Sequence, residues 1–268
     1  MLRSRDELTD YLATIVRDTQ IEGILENCLN VTLGEIWTRQ PWTFKRRKQT
    51  FSTVVSQENY NLDEEVEEVA FLRQRTTPAK LLYMPDDLFY KFQADPESQS
   101  SGTPKYYRRW EETGFSTNLA AADTIYVVSS SANDGSTFNV RIRGRNSSGE
   151  VVRETLTLNG TTNVTSSTTW GADGLMDISK SAATTGTISC SRTTGATLLS
   201  ELAPDETSPR FLRIGLYPIP SAVITIYMEY YERLHLLTHD TDIPQIDSRW
   251  TWVILEGTLA KVWHYKQK

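Results

Sequence analysis

With 268 residues the chain is long enough to bury one large core or two ordinary ones without disulfide or metal staples. A formal net charge of −6 argues against a general nucleic-acid binder, and the two cysteines, Cys28 and Cys190, lie far apart in segments of unlike character, which excludes a disulfide framework or a CxxC zinc site. The N-terminus, MLRSRDELTDYLATIV, alternates charged and apolar residues where a secretory signal carries an uncharged core, and no run approaches a membrane span, so a soluble protein made in a cytoplasm is expected.

Leu8, Leu12, Ile15 and Val16 predict a short amphipathic helix. Ile21, Ile24, Leu25, Cys28, Leu29, Thr32, Leu33 and Ile36 predict a second, with a bend near Asp18, Thr19 and Gln20 and an end at Pro41. Trp37, Trp42 and Phe44 at that boundary read as core. The basic run Lys45, Arg46, Arg47, Lys48 leads into a strand over 49–55. Asp63, Glu64, Glu65, Glu67 and Glu68 form the opposite run. Paired carboxylates can do acid–base or metal work, but no histidine or binding loop accompanies these. A strand is predicted over 81–83, a short helix over 85–92 opened by Pro85, Asp86 and Asp87, a polar loop over 94–103 and a strand over 104–110. The last interleaves aromatic and basic residues, a pattern that can stack single-stranded nucleic acid, though one short strand alone makes no platform.

At Ser116 the composition changes. From 116 to 206 about a third of the residues are Ser or Thr, and of the chain's aromatics only Tyr126, Phe138 and Trp170 fall there. Short alternating strands are predicted over 124–128, 138–144, 150–158, 178–181 and 186–191, several separated by Asn, Asp and Gly turns, which indicates a small β-sandwich of immunoglobulin-like size. Gly114 and Phe115 before it, and Pro209 to Phe211 after it, read as strands of one interrupted sheet, so 116–206 reads as an insertion.

The C-terminal stretch predicts strands over 211–217 and 223–231 joined as an antiparallel hairpin across Pro218-Ile219-Pro220-Ser221. A Pro-broken polar loop follows, then a helix capped by Asp247 or Ser248. That helix carries Trp250, Val253 and Ile254 on one side and Trp252, Leu255, Leu259 and Val262 on another, with Trp263 and Tyr265 at the end. Apolar residues around so much of its circumference imply a second burial partner. No GxSxG, Walker, GxGxxG or HExxH motif occurs. His235, His239, Asp240 and Asp242 have metal-ligand types within eight residues, but the loop is extended and Pro-broken, so no metal and no cofactor are assigned.

The run Leu216-Tyr217-Pro218-Ile219-Pro220, the Glu229-Tyr230-Tyr231 segment and the stretch from Thr238 to Pro244 together resemble the C-terminal half of head-to-tail adaptor (connector ring) proteins of tailed bacteriophages, relatives of podovirus tail tubular protein A. The resemblance spans residues 1–115 and 209–268, within a discontinuous adaptor core of 1–115 and 207–268, and is motif-borne at the C-terminal end only. It implies an α+β fold: a helical bundle packed with a small antiparallel β-domain, interrupted by the immunoglobulin-like sandwich. It implies a structural, non-enzymatic ring subunit of twelve copies at the virion neck, below the portal and above a tail or nozzle protein, through which DNA passes without sequence-specific binding. Trp263, His264, Tyr265, Lys266, Gln267 and Lys268 are then the expected portal contact. The acidic run 63–68 and the basic run Lys45 to Lys48 are the expected channel or inter-subunit charge. A carbohydrate- or receptor-binding module carried by the sandwich is the alternative, which would need an aromatic platform among Tyr126, Phe138 and Trp170.

Overall fold

The computed structural model describes residues 4–17, 21–77, 79–92 and 100–267. In chain order they form α1 (Arg5–Val16), α2 (Glu22–Thr38), β1 (Arg46–Ser52), β2 (Asn59–Asn61), β3 (Val66–Gln74), β4 (Lys80–Tyr83), α3 (Asp86–Phe92), β5 (Ser101–Gly102), β6 (Tyr106–Thr113), β7 (Ile125–Ser129), β8 (Asn139–Asn146), β9 (Val151–Thr157), β10 (Val164–Thr165), β11 (Trp170–Lys180), β12 (Ile188–Arg192), β13 (Leu198–Leu202), β14 (Phe211–Tyr217), β15 (Ile219–Pro220), β16 (Thr225–Glu232) and α4 (Thr251–Lys266).

Strand makes up 38% of the chain and helix 24%, which corrects the expected fold class: this is a mostly β protein, not a helical bundle packed with a small β-domain. The cause is visible in particular segments. The acids around 63–68 read as a charged run, yet Val66, Val69, Leu72 and Gln74 are buried positions of a nine-residue strand whose remaining side chains are half-buried or exposed. Asn59–Asn61 and Ser101–Gly102 have little β-propensity of their own and become strands because a neighbour supplies the ladder.

The chain divides into two compact units, 1–47 with 230–268, and 48–229, the division falling inside β1 and β16. In the first unit α1 opens on a reciprocal cap: the Glu7 N–H donates to Ser4 Oγ (3.2 Å) and the Ser4 N–H to Glu7 Oε2 (3.4 Å). Leu8, Leu12 and Val16 then recur at i, i+4 and are buried, as are Leu25, Leu29, Leu33 and Trp37 of α2. Leu8, Leu29, Leu33 and Trp37 pack with Ile246 and Ile254, and Leu12, Val16 and Leu25 pack with Val262. Helices α2 and α4 approach so closely that a Cβ on Gly257 would stand 2.7 Å from Thr32 Cγ2. The bend expected at residues 18–20 lies outside the described residues.

In the second unit the strands order as β1-β16-β3-β4-β6-β14-β2 in one seven-stranded sheet. The expected hairpin of β14 with β16 does not form. Strand β14 pairs antiparallel with β6 and β2, while β16 lies between β1 and β3. The Pro218–Ser221 connection is not a turn: Ile219 and Pro220 pair parallel with Ser101 and Gly102, and so carry the chain away from β14. Phe211 stands opposite Thr113, so the strands that bracket 116–206 are neighbours.

Within 116–206 two sheets, β10-β7-β12-β13 and β11-β8-β9, both supply one apolar core, which includes Ile125, Val127, Val140, Ile142, Trp170, Ile178, Cys190 and Leu202. Phe115 belongs to this core rather than to the flanking strand. Trp170 lies so near β8 that a Cβ on Gly144 would meet its ring at 3.0 Å. Burial pushes the Cys190 thiol up to about 12. Carboxylates hold the sandwich turns. Asp134 accepts from the Ser129 hydroxyl (2.5 Å) and from the N–H groups of Thr185 (2.7 Å) and Gly186 (2.8 Å). Burial alone would raise its pKa, but these donors outweigh burial and hold it below the usual carboxylate range.

Candidate functional site

Helix α4 begins after a 3-10 turn, Ser248–Trp250, capped by Asp247, whose carboxylate accepts from the Arg249 N–H (3.0 Å). Ile254, Thr258 and Val262 form its buried stripe at i, i+4, i+8. Val262 is thus an inward residue, and Leu255 and Leu259 pack against the same helical core, so of the expected second side only Trp252 faces outward. Half a turn round, Trp252 and Trp263 stand 62% and 46% exposed. Eleven residues apart, they share one face and lie about 16 Å apart along the axis. Tyr265, two residues on and so on the opposite side of the helix from Trp263, is 56% exposed because it lies beyond the last buried residue. Trp250 is also exposed, its ring 6.5 Å from that of Trp42, whose indole N–H donates to the Ile36 carbonyl (2.7 Å). The expected portal residues Trp263, His264, Tyr265, Lys266 and Gln267 are all exposed, and Lys268 lies outside the described residues. His264 and Lys266 occupy the last turn, where a cation is favoured by the helix carbonyls.

The two charge runs are less alike than their sequences. Lys45 is buried: its Nζ donates to the Trp37 carbonyl (3.3 Å) and stands 4.9 Å from that ring's centroid. In the isolated chain Lys45 is thus not a surface charge, unlike the rest of its run. Arg47 pairs with Glu232 (2.7 Å), and Arg46 and Lys48 are exposed. Among the acids, Asp63, Glu65 and Glu68 are exposed, and Glu64 and Glu67 half-buried. Asp63 accepts from the Gln49 amide and Glu68 lies 3.6 Å from Arg109, so the run is partly matched by its own chain.

In the 235–247 loop, Asp242 accepts the N–H groups of Thr238 and His239 (both 2.7 Å). Burial would raise its pKa, but these donors hold it below the ordinary value, so the carboxylate shapes the turn. Asp240 binds Arg5 (2.5 Å). Among the described residues no group of three or more His, Cys, Asp or Glu is placed to hold a metal. A cavity of about 310 Å³ is lined by Leu8, Ile243, Pro244, Ile246 and Ile254 together with the hydroxyl residues Ser248 and Thr251. No helix among the described residues is long and apolar enough to cross a membrane.

Sequence reasoning overlooked one set of residues. Arg141, Arg143 and Arg145 alternate along β8 with buried Val140, Ile142 and Gly144, and all three are exposed. Arg153 of β9 lies directly opposite Arg143. The alternation in NVRIRGRN was the available signal, hidden by the low overall charge of the segment.

The sequence matches no protein-family model and no curated protein.

Proposed function

We propose that the chain is a structural subunit of a tailed-bacteriophage neck, a head-to-tail adaptor that forms a ring beneath the portal and passes DNA toward a tail or nozzle protein below. The copy number of twelve comes from the family resemblance alone. The observation that carries the reading is the set of exposed rings on α4, Trp252 and Trp263 on its outer face and Tyr265 at its end. A helix that already buries Ile254, Thr258 and Val262 has no need of Trp252, Trp263 and Tyr265 for its own fold. Tryptophan and tyrosine beside cations are what protein interfaces use as anchors. Trp252 is assigned to a neighbouring copy and the end from Trp263 onward to the portal. The exposed acids Asp63, Glu65 and Glu68 are assigned to the channel, where like charge keeps DNA from sticking.

Light scattering and negative-stain imaging of the purified chain, alone and with portal, test this. Ring-sized particles are expected, and Trp252→Ala is expected to leave a folded monomer. A chain that stays monomeric at every concentration, with and without portal, overturns the reading. Of the three rings the carbohydrate-binding alternative would use, Trp170 is fully buried and Phe138 packs against the sandwich core, which leaves Tyr126, half-buried on β7, as its one remaining ring.

A further inference from the structure

The outer face of β11-β8-β9 concentrates positive charge in a chain that is acidic overall. Inward residues Val140, Ile142 and Leu156 belong to the sandwich core, so strand alternation sends Arg141, Arg143, Arg145 and Arg153 to the opposite face. None of these four has a carboxylate within ion-pair distance among the described residues, and Arg145 donates only to the Gly149 carbonyl (2.9 Å). The one acid paired with the row, Asp177 opposite Arg143 on β11, is 3.4 Å from Arg210, which adds a further cation at that edge.

Arg143 facing Arg153 is an unfavourable pair: like charges directly opposite in a ladder are destabilising. A polyanion laid across the face relieves that repulsion. Alternate strand positions are about 6.7 Å apart, close to twice the rise of about 3.4 Å that each phosphate of one strand takes along the duplex axis. Guanidinium groups also match phosphate bidentately. The rest of the face selects among anions. Around the arginines stand Val151, Thr155, Thr157 and Ser179, with no aromatic among them. A protein partner would want an aromatic or apolar centre, and a single strand would want rings to stack its bases.

We propose that this face binds the phosphate backbone of duplex DNA without reading its sequence. The inference rests on the four arginines and holds whether or not the chain forms a ring. The net charge of −6 then keeps the contact weak and makes it depend on local arginines rather than on the whole molecule.

Fluorescence anisotropy of a short mixed-sequence duplex with the full chain tests it. Binding in the non-specific range, a Kd of about 10⁻⁴ to 10⁻⁶ M, is expected at low salt. Four phosphate contacts give a slope of log K against log salt of about −3.6, a loss of roughly 150-fold between about 50 and about 200 mM. The combined variant R141Q/R143Q/R153Q is expected to reduce the slope to about −1, R141K/R143K/R153K to keep it, and R46Q/K48Q to leave it unchanged. A wild-type slope shallower than about −1 overturns the proposal without recourse to any variant. So does equal binding by the glutamine variant, or binding to a sulfated polysaccharide with none to the duplex.

Discussion

The sandwich of 116–206 and the helical unit of 1–47 with 230–268 bury apolar stripes by the same rules but finish their surfaces differently. Of the sandwich's three aromatic rings, Trp170 is inside, Phe138 lies against the core and Tyr126 is half-buried. Its turns are closed by carboxylates, with Asp134, Asp123 and Glu154 each accepting hydrogen bonds from two or more neighbours. In the helical unit Tyr11, Ile15, Trp250, Trp252, Trp263 and Tyr265 are all substantially exposed. One body is complete as it stands. The other carries apolar surface of the kind that marks an interaction site on a soluble chain.

The sharpest way to break that comparison is to remove one tryptophan from each body. Trp170→Ala deletes a fully buried ring and is expected to cost about 3–5 kcal/mol, whereas Trp252→Ala should change the stability of the isolated chain by no more than about 0.5 kcal/mol. Denaturant unfolding of both variants gives the answer. Equal costs would mean that the α4 ring belongs to its own fold after all.

A smaller effect tests how the sandwich closes its turns. Asp134→Asn exchanges a carboxylate that accepts three donors for an amide that brings donors of its own, at a cost of about 1–3 kcal/mol. The pH dependence has a definite sign. The folded pKa of Asp134 lies below its ordinary value of 3.8, so its contribution is present in full above that value and is lost as pH falls through the folded pKa. The wild type should therefore lose stability on acidification more steeply than Asp134→Asn, measured by thermal unfolding across that range. Parallel pH profiles would assign the acid sensitivity elsewhere.

What could be read in advance follows from how local each signal is. Leu8, Leu12 and Val16, or the alternation of 139–146, specify an element and its buried face within a few residues of one another. The sheet order could not be read so, because it depends on pairs such as Ile219 with Ser101, whose partners lie in distant segments with little strand character. Lys45 shows the same limit at one residue. In the run Lys45 to Lys48 nothing local says that the first sits in a 3-10 turn beneath Trp37 while β1 begins only at Arg46. Counting apolar positions around α4 was too coarse: of Trp252, Leu255, Leu259 and Val262, read as one second side, only Trp252 is exposed, and the other three pack into the helical unit's own core. The arginine face needed the strand register that sets Arg143 opposite Arg153.

The smallest effect on stability is expected at the C-terminus, and it is the most informative about function. Val262 is the last buried residue of α4, and everything described beyond it is exposed. Local contacts there include the Gln267 N–H donating to the Trp263 carbonyl (3.2 Å) and Lys266 Nζ 6.0 Å from the Trp263 ring centroid. The bond from Lys261 to Glu35 (2.7 Å), which ties α4 to α2, lies before the cut. Truncation after Val262 should thus shift unfolding by no more than about 0.5 kcal/mol, the scale of surface changes away from any buried feature. If the end of α4 is the portal contact, the same truncation should abolish capture of the chain by immobilised portal. Wild-type capture by the truncated chain would move the portal contact off α4, and a large loss of stability would show that these aromatics serve the helical unit itself.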